Sequence, residues 1–77
     1  MEAVEEGAMI DIQNIGETAG VVWQYLQEHD RATLTTLTRA VGAHSDIILM
    51  AVGWLAREGK LAFTQEARSV YVQLIDR

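Results

Sequence analysis

Two histidines, a run of threonines and a scatter of bases are the residues best suited to chemistry in this chain. Their spacing limits what each can do. His29 stands alone, and His44 has only Asp46 beside it. A zinc site needs three or four ligands at set spacings, so no metal is expected. His29 reads as a helix-end residue meeting the helix dipole, and His44 as an exposed turn residue. Thr33, Thr35, Thr36 and Thr38 crowd hydroxyls together, but no base is placed to activate one of them. A hydroxyl at a helix start can instead touch a phosphate, and so can an arginine. The nucleic-acid contacts this chain could offer are therefore Arg31, Thr36, Arg39, Arg57, Lys60 and Arg68, with Arg31 and Arg39 the best phosphate candidates. The sequence contains no glycine-rich phosphate loop and no Gly-x-Ser-x-Gly. No catalytic residue, cofactor or small-molecule substrate is evident, and an enzyme has almost no support.

Charge placement bears on the nucleic-acid reading. The chain has 77 residues and a net charge of -5. Residues 1–29 hold Glu2, Glu5, Glu6, Asp11, Glu17 and Glu28 and no base. Residues 30–60 hold Arg31, Arg39, Arg57 and Lys60 against Asp30, Asp46 and Glu58. The acidity thus belongs to the first third, and the middle is near neutral. DNA affinity leans on neutralising phosphates, so nucleic acid is possible but not favoured.

Length allows one small domain and a single core. A core of this size supplies about 3–5 kcal/mol of net stability, so self-association or a partner would help. The 49% hydrophobic content argues against disorder. Absence of Cys fits a reducing compartment. The acidic start is not a secretory signal, and no stretch approaches the ~18 apolar residues of a membrane span. A cytoplasmic location and no membrane partner are expected.

Hydrophobic spacing then places the elements. Residues 1–8 read as a flexible acidic tail, and 9–77 as one domain. Met9 to Gln13 alternates, a weak strand signal. Asn14 with Glu17 reads as a capping box. It opens a helix to about His29, with Ile15, Ala19, Val22, Trp23 and Leu26 on one face. Gly16 and Gly20 lie off that face and read as tolerated surface glycines, in preference to a close approach by another helix. Arg31 to Leu34 leans to strand. Thr35 caps a second helix that points Leu37, Ala40 and Val41 inward and ends at Gly42. Ser45 caps a third helix lasting to Glu58, and Gly59 stops it. Leu61-Phe63-Gln65 and Val70-Val72-Leu74 form the inner sides of a hairpin, whose tip, Glu66-Ala67-Arg68, reads as a solvated turn. Short helix, Gly-containing turn and longer helix make a helix-turn-helix, and the hairpin supplies a wing. The expected fold is α+β: three helices followed by a C-terminal β-hairpin wing.

The third helix decides the expected function. Ile48, Ala51, Val52 and Leu55 share an inward face. Asp46, Met50, Gly53, Trp54 and Arg57 share the outer one. Reading bases needs donors in the N-terminal part of this helix. Here that part offers an acid and a Met, and Arg57 comes only in the last turn. Ile47, Met50, Gly53 and Trp54 are read instead as a candidate protein interface, since Trp and Met favour interfaces and Gly permits close approach. The competing reading, coverage by the wing or N-terminal segment of the same chain, is placed slightly behind.

Gly53-Trp54-Leu55-Ala56-Arg57-Glu58-Gly59-Lys60, with Trp23, resembles a small bacterial family of stand-alone winged helix-turn-helix proteins of unknown function. The resemblance spans roughly Ile15 to Leu74. It implies the fold and a homodimer, and carries no activity or ligand. The expectation is a non-enzymatic module acting by protein–protein recognition as a homodimer, with a DNA-binding regulator as the alternative.

Overall fold

The computed structural model describes residues 10–75. The expected tail and Met9 lie outside them. Three helices and a three-stranded antiparallel sheet follow in the order α1 (Ile12–Glu28), β1 (Ala32–Thr33), α2 (Leu34–Val41), α3 (Ser45–Arg57), β2 (Leu61–Glu66) and β3 (Ser69–Leu74). The strands lie in the order β1-β3-β2. Ala32 pairs with Val72, and Leu61, Phe63 and Glu66 pair with Leu74, Val72 and Ser69. This is the expected three-helix fold with a hairpin wing.

Helix ends show the local chemistry. Asp11, not Asn14, caps α1: its carboxylate accepts the Asn14 backbone N–H at 2.7 Å. Residues 12 and 13 are therefore helical, and the strand expected near Met9–Gln13 is not present over the described part. Asp and Asn cap equally well, and the earlier cap adds a turn that carries Ile12 and Ile15 onto α3's side. Thr33, not Thr35, caps α2, its hydroxyl accepting the Thr36 N–H at 3.1 Å. Gly42 ends α2 at φ 76°, in the left-handed region that Gly occupies without a Cβ penalty.

At α3 the capping position is His44, one residue ahead of the expected Ser45, and it makes no side-chain cap bond. The far end closes as a Schellman motif. Gly59, at φ 75°, donates its N–H to the Ala56 carbonyl at 2.9 Å, and Lys60 donates to Leu55 at 3.0 Å. That closure turns the chain straight into β2.

The core joins Ala19, Val22 and Leu26 of α1 with Leu37 of α2, Ile48, Ala51, Val52 and Leu55 of α3, and Leu61, Val72 and Leu74 of the sheet. Leu26, Leu37, Ile48, Val22 and Val72 are fully buried. Five expected inward residues differ: Phe63, Gln65 and Val70 of the hairpin are exposed, and two on the helices depart as well. Ala40 is exposed and Trp23 is 41% exposed. The eight-residue α2 buries only Leu37 fully, a stripe too narrow to take Ala40 as well. Trp23 sits beside buried Val22, at the margin of α1's apolar arc.

Candidate interaction surface

α1 packs along α3, the most extensive contact between helices in the fold. On α3, residues 47, 48, 51, 52 and 55 are buried. At ~100° per residue these cover an arc of roughly 140°. The arc takes in Ile47, which is only 4% exposed. Ile47 therefore leaves the proposed outer stripe, because the buried arc is one residue wider than the Ile48-Ala51-Val52-Leu55 pattern suggests. Met50 at 44% and Trp54 at 50% remain in solvent, and Leu49, which the spacing did not single out, is 51% exposed. Gly53 is exposed, with no atom within 4 Å of where a Cβ would stand.

Beside Trp54 the first turns of α1 complete a surface. Ile12, Ile15, Gly16 and Trp54 line a groove of about 310 Å³ that is almost wholly apolar. Ile12 is 84% exposed there. A shallower depression continues the groove past Gly16 and Gly20 to Trp23 and Lys60. Two tryptophans and an isoleucine thus stand in water along the α1–α3 seam. The contribution of Ile12 was hidden in the sequence because that turn read as a strand; its spacing to Ile15 and Ala19 is helical.

The basic residues lie at the ends of α2 and α3, ahead of β1 and β2 and at the wing tip. Arg31 is engaged within the sheet: its Nη1 and Nη2 donate to Oε2 and Oε1 of Glu66 at 3.0 and 3.2 Å. Its Cζ lies 3.9 Å from the Tyr71 ring centroid. Two of its five N–H donors are thus engaged by Glu66, which partly neutralises the charge that Arg31 would offer a phosphate. The hydrogen bonds from Arg31 hold the Glu66 carboxyl below the ordinary glutamate range. Thr36 sits within α2's cap, its hydroxyl 3.1 Å from that of Thr33. Arg39 and Arg57 lie in the last turns of α2 and α3, Lys60 follows α3, and Arg68 is at the wing tip. The first turns of α3, which would enter a groove in a DNA reader, expose Asp46, Leu49 and Met50.

His29 bonds back to its own helix, its ring Nδ1 donating to the Tyr25 carbonyl at 2.9 Å and stacking on Tyr25. Among the described residues no three His, Cys, Asp or Glu side chains cluster to hold a metal ion. No described helix is long and apolar enough to cross a membrane.

A recognition-type helix closed by a Schellman turn and feeding a two-stranded wing is a winged-helix arrangement. Residues 9–74 match the winged helix-turn-helix domain family DUF2582. The chain belongs to that family. Within it and its surroundings, the chain is 36% identical over 62 residues to the uncharacterised protein MJ1608 of Methanocaldococcus jannaschii, covering 78% of this chain and 89% of that one. It also resembles the solution NMR structure of protein BT2368 from Bacteroides thetaiotaomicron, with 32% identity and a TM-score of 0.76. That likeness covers 84% of this chain and 79% of the other. One relative is archaeal and one bacterial, so these likenesses do not show the bacterial origin expected from the resemblance.

Proposed function

We propose that this DUF2582 domain is a non-enzymatic module that acts by protein–protein recognition, and that it works as a homodimer through the α1–α3 face. One observation carries the reading. Ile12 and Trp54 remain exposed on adjoining helices at an apolar groove, Trp23 is exposed on its continuation, and Met50 is exposed one turn before Trp54 on α3. A monomer this small has strong reason to cover such a patch. Trp is the commonest energetic anchor of protein interfaces. A two-fold contact of this kind uses the same patch on both copies.

Size measurement by sedimentation tests it. The wild-type chain self-associates through this face, and Trp54→Ala and Met50→Ala each halve its sedimenting mass while the helical circular-dichroism signal persists. An unchanged mass in both variants, or a wild-type monomer at high concentration, overturns the reading.

The alternative is a DNA-binding regulator, favoured by the fold and by exposed Arg39, Arg57, Lys60 and Arg68. Against it stand the acid and apolar residues at the start of α3 and the pairing of Arg31 with Glu66. A mobility shift on generic DNA separates the two. Binding that weakens steeply with salt supports the regulator and counts against the protein-recognition reading.

A further inference from the structure

The wing carries a surface of a different kind. β2 lies at the edge of the sheet, with β3 on one side and no strand among the described residues on the other. Backbone parity shows which groups that edge presents. Ile75 donates its N–H to the Lys60 carbonyl at 3.0 Å, and the register runs from Leu61 opposite Leu74 to Glu66 opposite Ser69. Bonded pairs recur at every second residue of an antiparallel ladder. Lys60, Ala62, Thr64 and Glu66 therefore turn their backbone groups toward β3. Leu61, Phe63 and Gln65 turn theirs outward, unpaired by any strand among the described residues. Phe63 is also 51% exposed, although it shares the inward side of the strand with buried Leu61.

We propose that β2 pairs antiparallel with β2 of a second copy, about a two-fold axis through Phe63. This register alone pairs all three outward residues of each strand, Leu61 with Gln65 and Phe63 with its own equivalent. A shift of two residues either way brings in Gly59 or Ala67, which are held in left-handed cap and turn conformations. The same register sets Lys60 opposite Glu66 of the second copy, once at each end. The charges are thus complementary under the symmetry, and opposite charges and paired aromatics both stabilise cross-strand neighbours. A carboxylate has about four lone-pair sites, so the two bonds from Arg31 leave Glu66 able to accept Lys60 as well. The small residues Ala62 and Thr64 face each other on the outer side without a clash. This edge is separate from the α1–α3 face and stands whether or not that face is covered.

Cysteine scanning tests it, because the chain has no Cys of its own. Phe63→Cys places two thiols at the axis, with Cα atoms about 5.5 Å apart, within disulfide range. Gln65→Cys lies on the same side of the strand, but its equivalent is about 13 Å away along the ladder. In one redox buffer Phe63→Cys forms a covalent dimer and Gln65→Cys stays monomeric. The cross-link forms equally in a Trp54→Ala background. Phe63→Pro removes only an outward N–H from the backbone ladder and abolishes association at this edge with the fold retained. Lys60→Glu weakens association, by about tenfold for two reversed pairs. Equal cross-linking of the two Cys variants, no cross-link in either, or undiminished association in Lys60→Glu overturns the proposal. A cross-link lost with Trp54→Ala overturns this edge and leaves the helical face standing. A cross-link retained while Trp54→Ala leaves the size unchanged supports the edge and counts against the helical face.

Discussion

Arg31 grips Glu66 with both terminal nitrogens, at 3.0 and 3.2 Å, across 35 residues of sequence. The guanidinium crosses the face of Tyr71 on β3 to reach the last residue of β2. It ties the segment ahead of β1 to the far strand, so the three strands are joined by side chains as well as by backbone.

That pair makes stability depend on acid pH. The Glu66 carboxyl is lowered below its ordinary value, chiefly by the hydrogen bonds from Arg31 and then by its charge. A lowered carboxylate contributes stability that is complete above the unfolded pKa and is lost as pH falls through the folded one. Thermal melts of wild type and Glu66→Gln should therefore differ at neutral pH. The gap should close as pH drops through and below the normal glutamate range. Because both side chains are in solvent, high salt should narrow the gap as well. A gap that persists in strong acid would show that Glu66 acts by something other than its charge.

The wing turn holds a local misfit. β2 and β3 join through Ala67 and Arg68, and Ala67 sits at φ 55°. A two-residue hairpin wants Gly at such a position, and an L side chain there costs roughly 1–2 kcal/mol. Ala67→Gly gives back part of that through its own chain entropy, for a net gain of about 1 kcal/mol. The expected result is a melting temperature raised by ~4–8 °C. A lower melting temperature would show that Ala67 is unstrained.

Core and surface positions should separate cleanly in urea titration. Leu37 is fully buried, and Leu37→Ala should cost about 2–5 kcal/mol. That is comparable to the ~3–5 kcal/mol expected for the whole domain, so the variant should be largely unfolded. Gly20 lies exposed within α1 with open space where a Cβ would stand. Gly20→Ala should gain about 1 kcal/mol of helix propensity. A loss at Gly20 instead would mean that another helix comes close there.

Much of the fold was legible in the sequence for local reasons. The inward residues of α3 followed from 3.6-residue spacing, and Gly42 and Gly59 marked helix ends because only Gly takes the left-handed cap freely. Cap positions slipped by two or three residues where neighbouring side chains cap equally well, as with Asp11 and Asn14, or Thr33 and Thr35. Of the candidate surface, Met50, Gly53 and Trp54 were readable from the outer face of one helix. Ile12 was not, since it joins that face only when α1 starts early and packs beside α3.

The sequence by itself determined the order of elements, the inward face of α3, the glycine stops and the near-neutral middle of the chain. Each of these depends on residues within a turn or two of one another. Tertiary structure alone decided that Ile47 is buried, that Trp23 is exposed, that Arg31 is paired with Glu66, and that β2 is left at an edge. The width of a buried arc is set by the neighbouring helix, an ion pair between distant residues by strand order, and a free edge by which strand takes the centre of the sheet. None of these is encoded in local spacing.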